Sequence, residues 1–289
     1  MQLLHSATRN YSWGSRTLIP HLQGQPDADK PVAELWFGAH PGDPSTVDGR
    51  LLNEVIAEDP AGQLGGRVSA EYGERLPFLL KVLAAEEPLS LQAHPSKAQA
   101  EEGFARENAA GIELTASNRN YKDDNHKPEL IVALTDFYAM AGFRPLARTR
   151  ELFAALECPE LDHYVAMLDD DPSATTESAN LRVLFTTWIT IPAAKRKELI
   201  SAIVAAGERL IAADPADWKS RVMSTVLELN QRYPGDIGVL GALLLNHIEL
   251  SPGEAVYLDA GQLHAYVSGL GVEIMANSDN VSVSYTHLT

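Results

Sequence analysis

A mainly β fold with a block of helices inserted into it is what this 289-residue sequence predicts. Two turn-rich segments of short apolar runs flank a stretch with helical periodicity. The closing β segment, about fifty residues, is too short to hold a core alone. It is therefore expected to complete one sheet structure with the first segment, the helices being carried in a loop between them. The expected boundaries are 1–145 for the first β part, 146–235 for the helices and 236–281 for the closing β part, with 282–289 as a tail considered below.

Each element has its own signal. In the first part, 33–38, 77–83 and 89–94 are apolar runs bounded by Pro and Gly, which suits strands. Ser96 and Gln99 have the spacing of a capping box, an Ala/Glu-rich stretch follows, and Gly111 supplies a stop, so one helix interrupts the strands. In the middle part Leu199, Ile203, Ala206 and Leu210 recur at helical spacing. Trp218, Val222, Val226, Leu229 and Tyr233 do the same. Pro192 and Pro215 mark helix starts, and four or five packed helices are expected. In the closing part 251–254 reads as a turn and 254–259 as a strand ending at Ala260 and Gly261. A short strand follows around 264–267.

Composition narrows the function. Lys plus Arg number 23 against 39 Asp plus Glu, a net charge of −16, which repels nucleic acid and anionic membrane. An anionic substrate would need a local group of cations. The single cysteine, Cys158, excludes an internal disulfide and a multi-thiolate zinc site. The N-terminal residues lack an apolar signal core and the longest apolar run, 239–245, is too short to span a bilayer, so a cytoplasmic location is expected.

Three residue groups are able to do chemistry. Ser90, Gln92 and His94 share a face if 89–94 is a strand. An amide oxygen and an imidazole there could hold a metal, although a satisfied polar pair is the plainer reading. Lys127 and Glu129 share a face by the same parity, with His126 on the other. Pro128 makes that strand an edge or bulged one. Glu129 suits a metal and Lys127 an oxyanion, while a solvated charge cluster is the alternative. In 253–266 a strand, a glycine turn, then His264 and Tyr266 on one face resemble the second motif of the cupin family, with Asp259 where many members have Pro; a β-hairpin with a core histidine is the alternative. Gathered together, Gln92, His94, Glu129 and His264 supply two imidazoles, a carboxylate and an amide oxygen, a set that suits Zn²⁺ or another divalent transition ion.

Six stretches in the same order make the chain resemble the type I mannose-6-phosphate isomerase (phosphomannose isomerase) family. They are 10–14 (Asn-Tyr-Ser-Trp-Gly), 33–41 (Ala-Glu-Leu-Trp-Phe-Gly-Ala-His-Pro), 77–83, 89–95, 121–129 and 258–280. The resemblance implies a cupin (jelly-roll) β-barrel with an inserted helical domain. It implies one zinc ion per chain on Gln92, His94, Glu129 and His264. The implied reaction interconverts mannose 6-phosphate and fructose 6-phosphate through a cis-enediol, which needs a base for the proton alpha to the carbonyl and positive groups for the phosphate. By resemblance, Trp13, Glu34, Lys81 and Ser90 line the substrate site with Lys127, Tyr266, Glu273 and Asp279. The base stays open among His126, Lys127, Glu273 and Asp279. The expected partner is a small hexose phosphate, with no nucleic acid or membrane, and the oligomeric state is left open.

The likeness stops after Val281. Ser282 and Val283 stand where the family has Leu and then a substrate-binding Arg, and the family's C-terminal β-barrel is absent from the 289 residues. Residues 282–289 are therefore expected to be a non-native tail, and this chain to turn over weakly or not at all. A non-catalytic metal- or sugar-phosphate-binding cupin is the first rival reading. A cupin oxygenase using Fe²⁺ is the second, opposed by the Gln ligand and the lysines.

Overall fold

The computed structural model describes residues 2–168 and 174–281. In chain order the elements begin with β1 (Leu4–His5), β2 (Ala7–Arg9), α1 (Leu18–Leu22), β3 (Glu34–Phe37), β4 (Thr46–Val47) and β5 (Arg50–Leu51). Three short helices follow, α2 (Leu52–Glu58), α3 (Pro60–Leu64) and α4 (Gly66–Tyr72). Then come β6 (Phe78–Ala85), α5 (Lys97–Ala109), β7 (Glu129–Ala133) and β8 (Phe137–Phe143). The helical stretch holds α6 (Leu146–Leu156), α7 (Pro159–Val165), α8 (Ala174–Thr190), α9 (Ala193–Ala213), α10 (Trp218–Arg232) and α11 (Ile237–Ala242). The chain closes with β9 (Leu245–Leu250), β10 (Ala255–Leu258) and β11 (His264–Ala276). The tail expected at 282–289 lies outside the described residues.

The chain divides into two compact units, residues 2–139 with 248–281, and residues 140–247. The division falls inside β8 and β9 rather than at 145 and 235, so α11 groups with the other helices of the second unit. In the first unit an antiparallel sheet runs in the order β10-β7-β11-β6-β3-β2. Its register sets Glu273 opposite Lys81 and Lys81 opposite Trp36. The outer face is closed in part by α1, where Ile19 packs with Leu35, Ala84 and Leu270. In the second unit the periodic residues Leu199, Ile203 and Ala206 of α9 are buried, as are Val222, Val226 and Leu229 of α10. Gly207 allows these two helices to approach, since a Cβ there would lie 2.5 Å from Met223. Buried Arg144 donates to the carbonyls of Leu243 and Leu245.

Several local expectations are met and several are corrected. Ser96 and Gln99 form the reciprocal cap of α5, and Pro192 immediately precedes α9. Pro215 does not begin a helix; α10 starts three residues later, where Asp217 accepts from the Lys219 N–H. The run 89–94 forms no continuous strand: it pairs through the Gln92–His264 bridge and the Leu89 N–H to Tyr266 O bond. Strand β7 is not an edge: it lies between β10 and β11. Pro128 precedes the first strand residue, so its missing N–H costs no ladder bond, and its carbonyl accepts from Ala276. The strand expected at 264–267 continues to Ala276.

Candidate metal centre

The site is assembled where the 89–94 segment runs beside the start of β11. The Leu89 N–H donates to Tyr266 O, Gln92 and His264 exchange both backbone bonds, and the Gly261 N–H donates to His94 O. That lacing brings the His94 and His264 rings to 5.3 Å between centroids. Glu129, the first residue of β7, completes the group, and all three side chains are buried.

Their protonation states follow from the partners. The His94 Nδ1 is 2.8 Å from the Asn280 carbonyl and the His264 Nδ1 is 2.9 Å from the Gln262 carbonyl. A carbonyl only accepts, so both Nδ1 atoms carry the proton, and the neutral form of each ring then presents a bare Nε2. Those Nε2 atoms lie 3.2 and 3.1 Å from the two oxygens of Glu129, yet neither has a hydrogen-bond partner. Burial lowers the pKa of His94, which keeps that ring neutral. Burial alone would raise the Glu129 carboxyl, but the Lys127 ammonium at 3.2 Å holds it well below the usual carboxylate range. Acceptors therefore face acceptors in a buried place, an arrangement that a cation resolves. Zinc bonds of ~2.0–2.2 Å in tetrahedral geometry put neighbouring ligand atoms roughly 3.3–3.5 Å apart. The spacing is close to that, so the residues fit a zinc ion. Gln92, the further ligand expected from the sequence, pairs with His264 through its backbone.

A second set of buried charges lies on β3, β6 and β11. The Lys81 ammonium is 3.2 Å from Glu34 and 3.9 Å from Glu273, and it sits 5.0 Å from the Trp36 ring. The Trp36 indole donates to the other oxygen of Glu34 at 2.7 Å. Burial would lower the Lys81 pKa, but Glu34, Glu273 and Glu129 together raise it. The Tyr266 hydroxyl donates to Glu273 at 2.7 Å. Burial and the charges of Glu273 and Glu129 push that phenol well above its ordinary range. Burial, reinforced by the Glu129 charge, pushes the Glu273 carboxyl up to about 7 in spite of Lys81. Both lysines expected to supply positive charge are thus already engaged with carboxylates. With all of them ionised, Glu34, Glu129 and Glu273 against Lys81 and Lys127 leave one negative charge; a divalent ion turns that into one positive charge.

Of the other residues singled out from the sequence, Trp13 is half-buried and stacks on Tyr11. Ser90 and His126 are half-buried, the latter one residue before Lys127. Asp279 is exposed and accepts from the His40 Nε2 at 3.1 Å, which holds its carboxyl below the ordinary value. His40 is the residue that sequence reasoning passed over. Its Nδ1 accepts from the Gly42 N–H and its ring meets Trp36 edge-on at 5.0 Å. The only signal was its place at the end of the 33–41 stretch. Asn280 was also missed as the carbonyl that fixes His94, because a backbone acceptor has no signature in side-chain chemistry.

Comparison with known proteins agrees with this geometry. Residues 1–146 match the family described as phosphomannose isomerase type I, catalytic domain. The chain is 40% identical to mannose-6-phosphate isomerase of Escherichia coli strain K12, over 97% of this chain and 70% of the relative. It is 34% identical to mannose-6-phosphate isomerase 1 of Arabidopsis thaliana, over 97% of this chain and 66% of the relative. A crystal structure of mannose 6-phosphate isomerase from Salmonella typhimurium, bound to substrate and zinc, superposes with a TM-score of 0.84 at 38% identity, covering 97% of this chain and 69% of that one. The fold and the buried cluster thus occur in a chain that belongs to the type I phosphomannose isomerase family.

Proposed function

We propose that the chain interconverts mannose 6-phosphate and fructose 6-phosphate, with one zinc ion held by His94, Glu129 and His264 and with Gln92 as the further ligand. The observation that carries this reading is the buried pair of bare imidazole nitrogens facing an ionised carboxylate, in a chain of this family. When bound, a divalent ion supplies Lewis-acid polarisation of substrate oxygens and positive charge for the phosphate-bearing sugar. The chain's own residues do the rest. Lys81 and Lys127 offset negative charge as it develops on the substrate oxygens. Glu273 accepts a hydrogen bond from the Tyr266 hydroxyl, and burial pushes its carboxyl up to about 7, so it exchanges a proton at neutral pH and is our preferred carboxylate for the transfer between C1 and C2. Asp279, held ionised by His40, orients substrate hydroxyls with His126, while Trp13, Glu34 and Ser90 shape the sugar site. A cytoplasmic setting fits the one cysteine, Cys158, a buried free thiol.

The test is conversion of mannose 6-phosphate to fructose 6-phosphate with added zinc and with chelator. Conversion that chelator abolishes and zinc restores is the expected result. Zinc uptake with no conversion would replace this reading with a metal-binding module, and oxygen consumption with bound iron would replace it with an oxygenase.

A further inference from the structure

Resting on the metal reading above, we propose that Asp123 is a positioning residue for the metal centre, acting through Asn280 and through the loop that delivers Glu129. Asp123 touches none of the three candidate ligands, yet it joins the two chain segments that hold two of them. Its Oδ1 accepts from the Asn125 N–H at 2.9 Å, the Ser278 hydroxyl at 2.8 Å and the Asn280 side-chain amide at 3.1 Å. Its Oδ2 accepts from the Asp279 N–H at 2.8 Å. Its backbone carbonyl takes a further bond from the Asn280 amide at 2.8 Å, and the Asn280 Oδ1 accepts in return from the Lys122 N–H at 2.8 Å.

The geometry assigns this clamp a purpose beyond tying down a turn. On one side is the loop 122–125, which runs straight into His126, Lys127 and Glu129. On the other is 278–280, where the fully buried Asn280 presents its carbonyl to the His94 Nδ1. That carbonyl fixes which nitrogen of His94 carries the proton and hence that Nε2 is bare. Neither β7 nor β11 supplies this control, since β11 ends at Ala276 and Asn280 lies beyond it. A carboxylate suits the post because all four groups facing it are donors; an amide in its place turns an NH₂ toward at least one of them.

The variant Asp123→Asn keeps the volume and removes that acceptor. Zinc affinity, measured by competition with a chromogenic chelator, should fall ~10–100-fold, the usual cost of losing an outer-shell partner. The visible absorption of the cobalt(II)-substituted protein should change as well, a readout that a purely structural loss would leave alone. Wild-type affinity with an unchanged cobalt spectrum overturns the proposal, whatever happens to the melting temperature. Should Asp123→Asn fail to fold, Ser278→Ala keeps the carboxylate but removes one of its four donors, together with the hydroxyl's contact to the Asn125 carbonyl and the bond it accepts from the Asn280 N–H. Its expected loss of affinity is at least the about 2–10-fold worth of one hydrogen bond, and no loss in the folded variant overturns the proposal equally. A wild-type chain that takes up no zinc overturns the metal reading and the clamp with it.

Discussion

The bare Nε2 atoms of His94 and His264 make Glu129 the residue on which the site turns. Removing its carboxylate in Glu129→Ala takes away the anionic side chain that faces them both. Zinc affinity should drop by more than the ~10–100-fold typical of outer-shell changes, as chelator competition would show. Glu273 makes a pH prediction. Its folded pKa is raised to about 7 from an ordinary 4.5, so its favourable contribution is full below about pH 4.5 and is lost as pH rises through 7. Glu129 has the opposite sign: its depressed pKa contributes stability above the ordinary carboxylate range, which is lost only in acid. Metal-free protein should therefore lose roughly 1–3 kcal/mol from Glu273 between pH 4.5 and 7. Relative to Glu273→Gln, the wild-type melting temperature should fall across that window; parallel curves would refute the assignment.

At the scale of elements, β11 does most of the positioning, and a single glycine decides how. Tyr266 and Glu273 are seven positions apart, which in a flat strand puts them on opposite faces and roughly 23 Å apart. Their side chains nevertheless meet at 2.7 Å. The bend lies at Gly269, whose φ of +124° is open to glycine and costly for other residues. Beside it the N–H groups of Leu134 and Thr135 both reach the Leu270 carbonyl, two residues facing one as in a bulge. A Cβ on Gly269 would lie 2.7 Å from the Asp136 carbonyl oxygen. Gly269→Ala is expected to cost about 2 kcal/mol or more and to separate Tyr266 from Glu273; denaturant unfolding and loss of the neutral-range titration check both. The α5 cap offers a milder contrast. Ser96→Ala should cost ~1 kcal/mol in the same assay without moving zinc affinity.

For the whole molecule, every candidate ligand belongs to the unit built from 2–139 and 248–281, although 134 residues separate His264 from Glu129 and 108 of the intervening residues form the other unit. Zinc at a hundredfold excess over its dissociation constant should stabilise the ligand-bearing unit by ~2.7 kcal/mol. Calorimetry should show that gain as a shift in melting, reversed by chelator and missing in Glu129→Ala. The sequence by itself determined the sheet structure with inserted helices, the α5 cap, the faces of α9 and α10, and the residue types able to hold zinc. All of these depend on local spacing, which is written in neighbouring residues. Tertiary structure alone decided that β7 is interior, that 89–94 pairs through isolated bridges, and that His40, Asp123 and the Asn280 carbonyl belong to the site. It also decided that both lysines are already paired. These features arise from contacts between residues far apart in the chain and from backbone atoms that every residue shares, so no local pattern in the sequence encodes them.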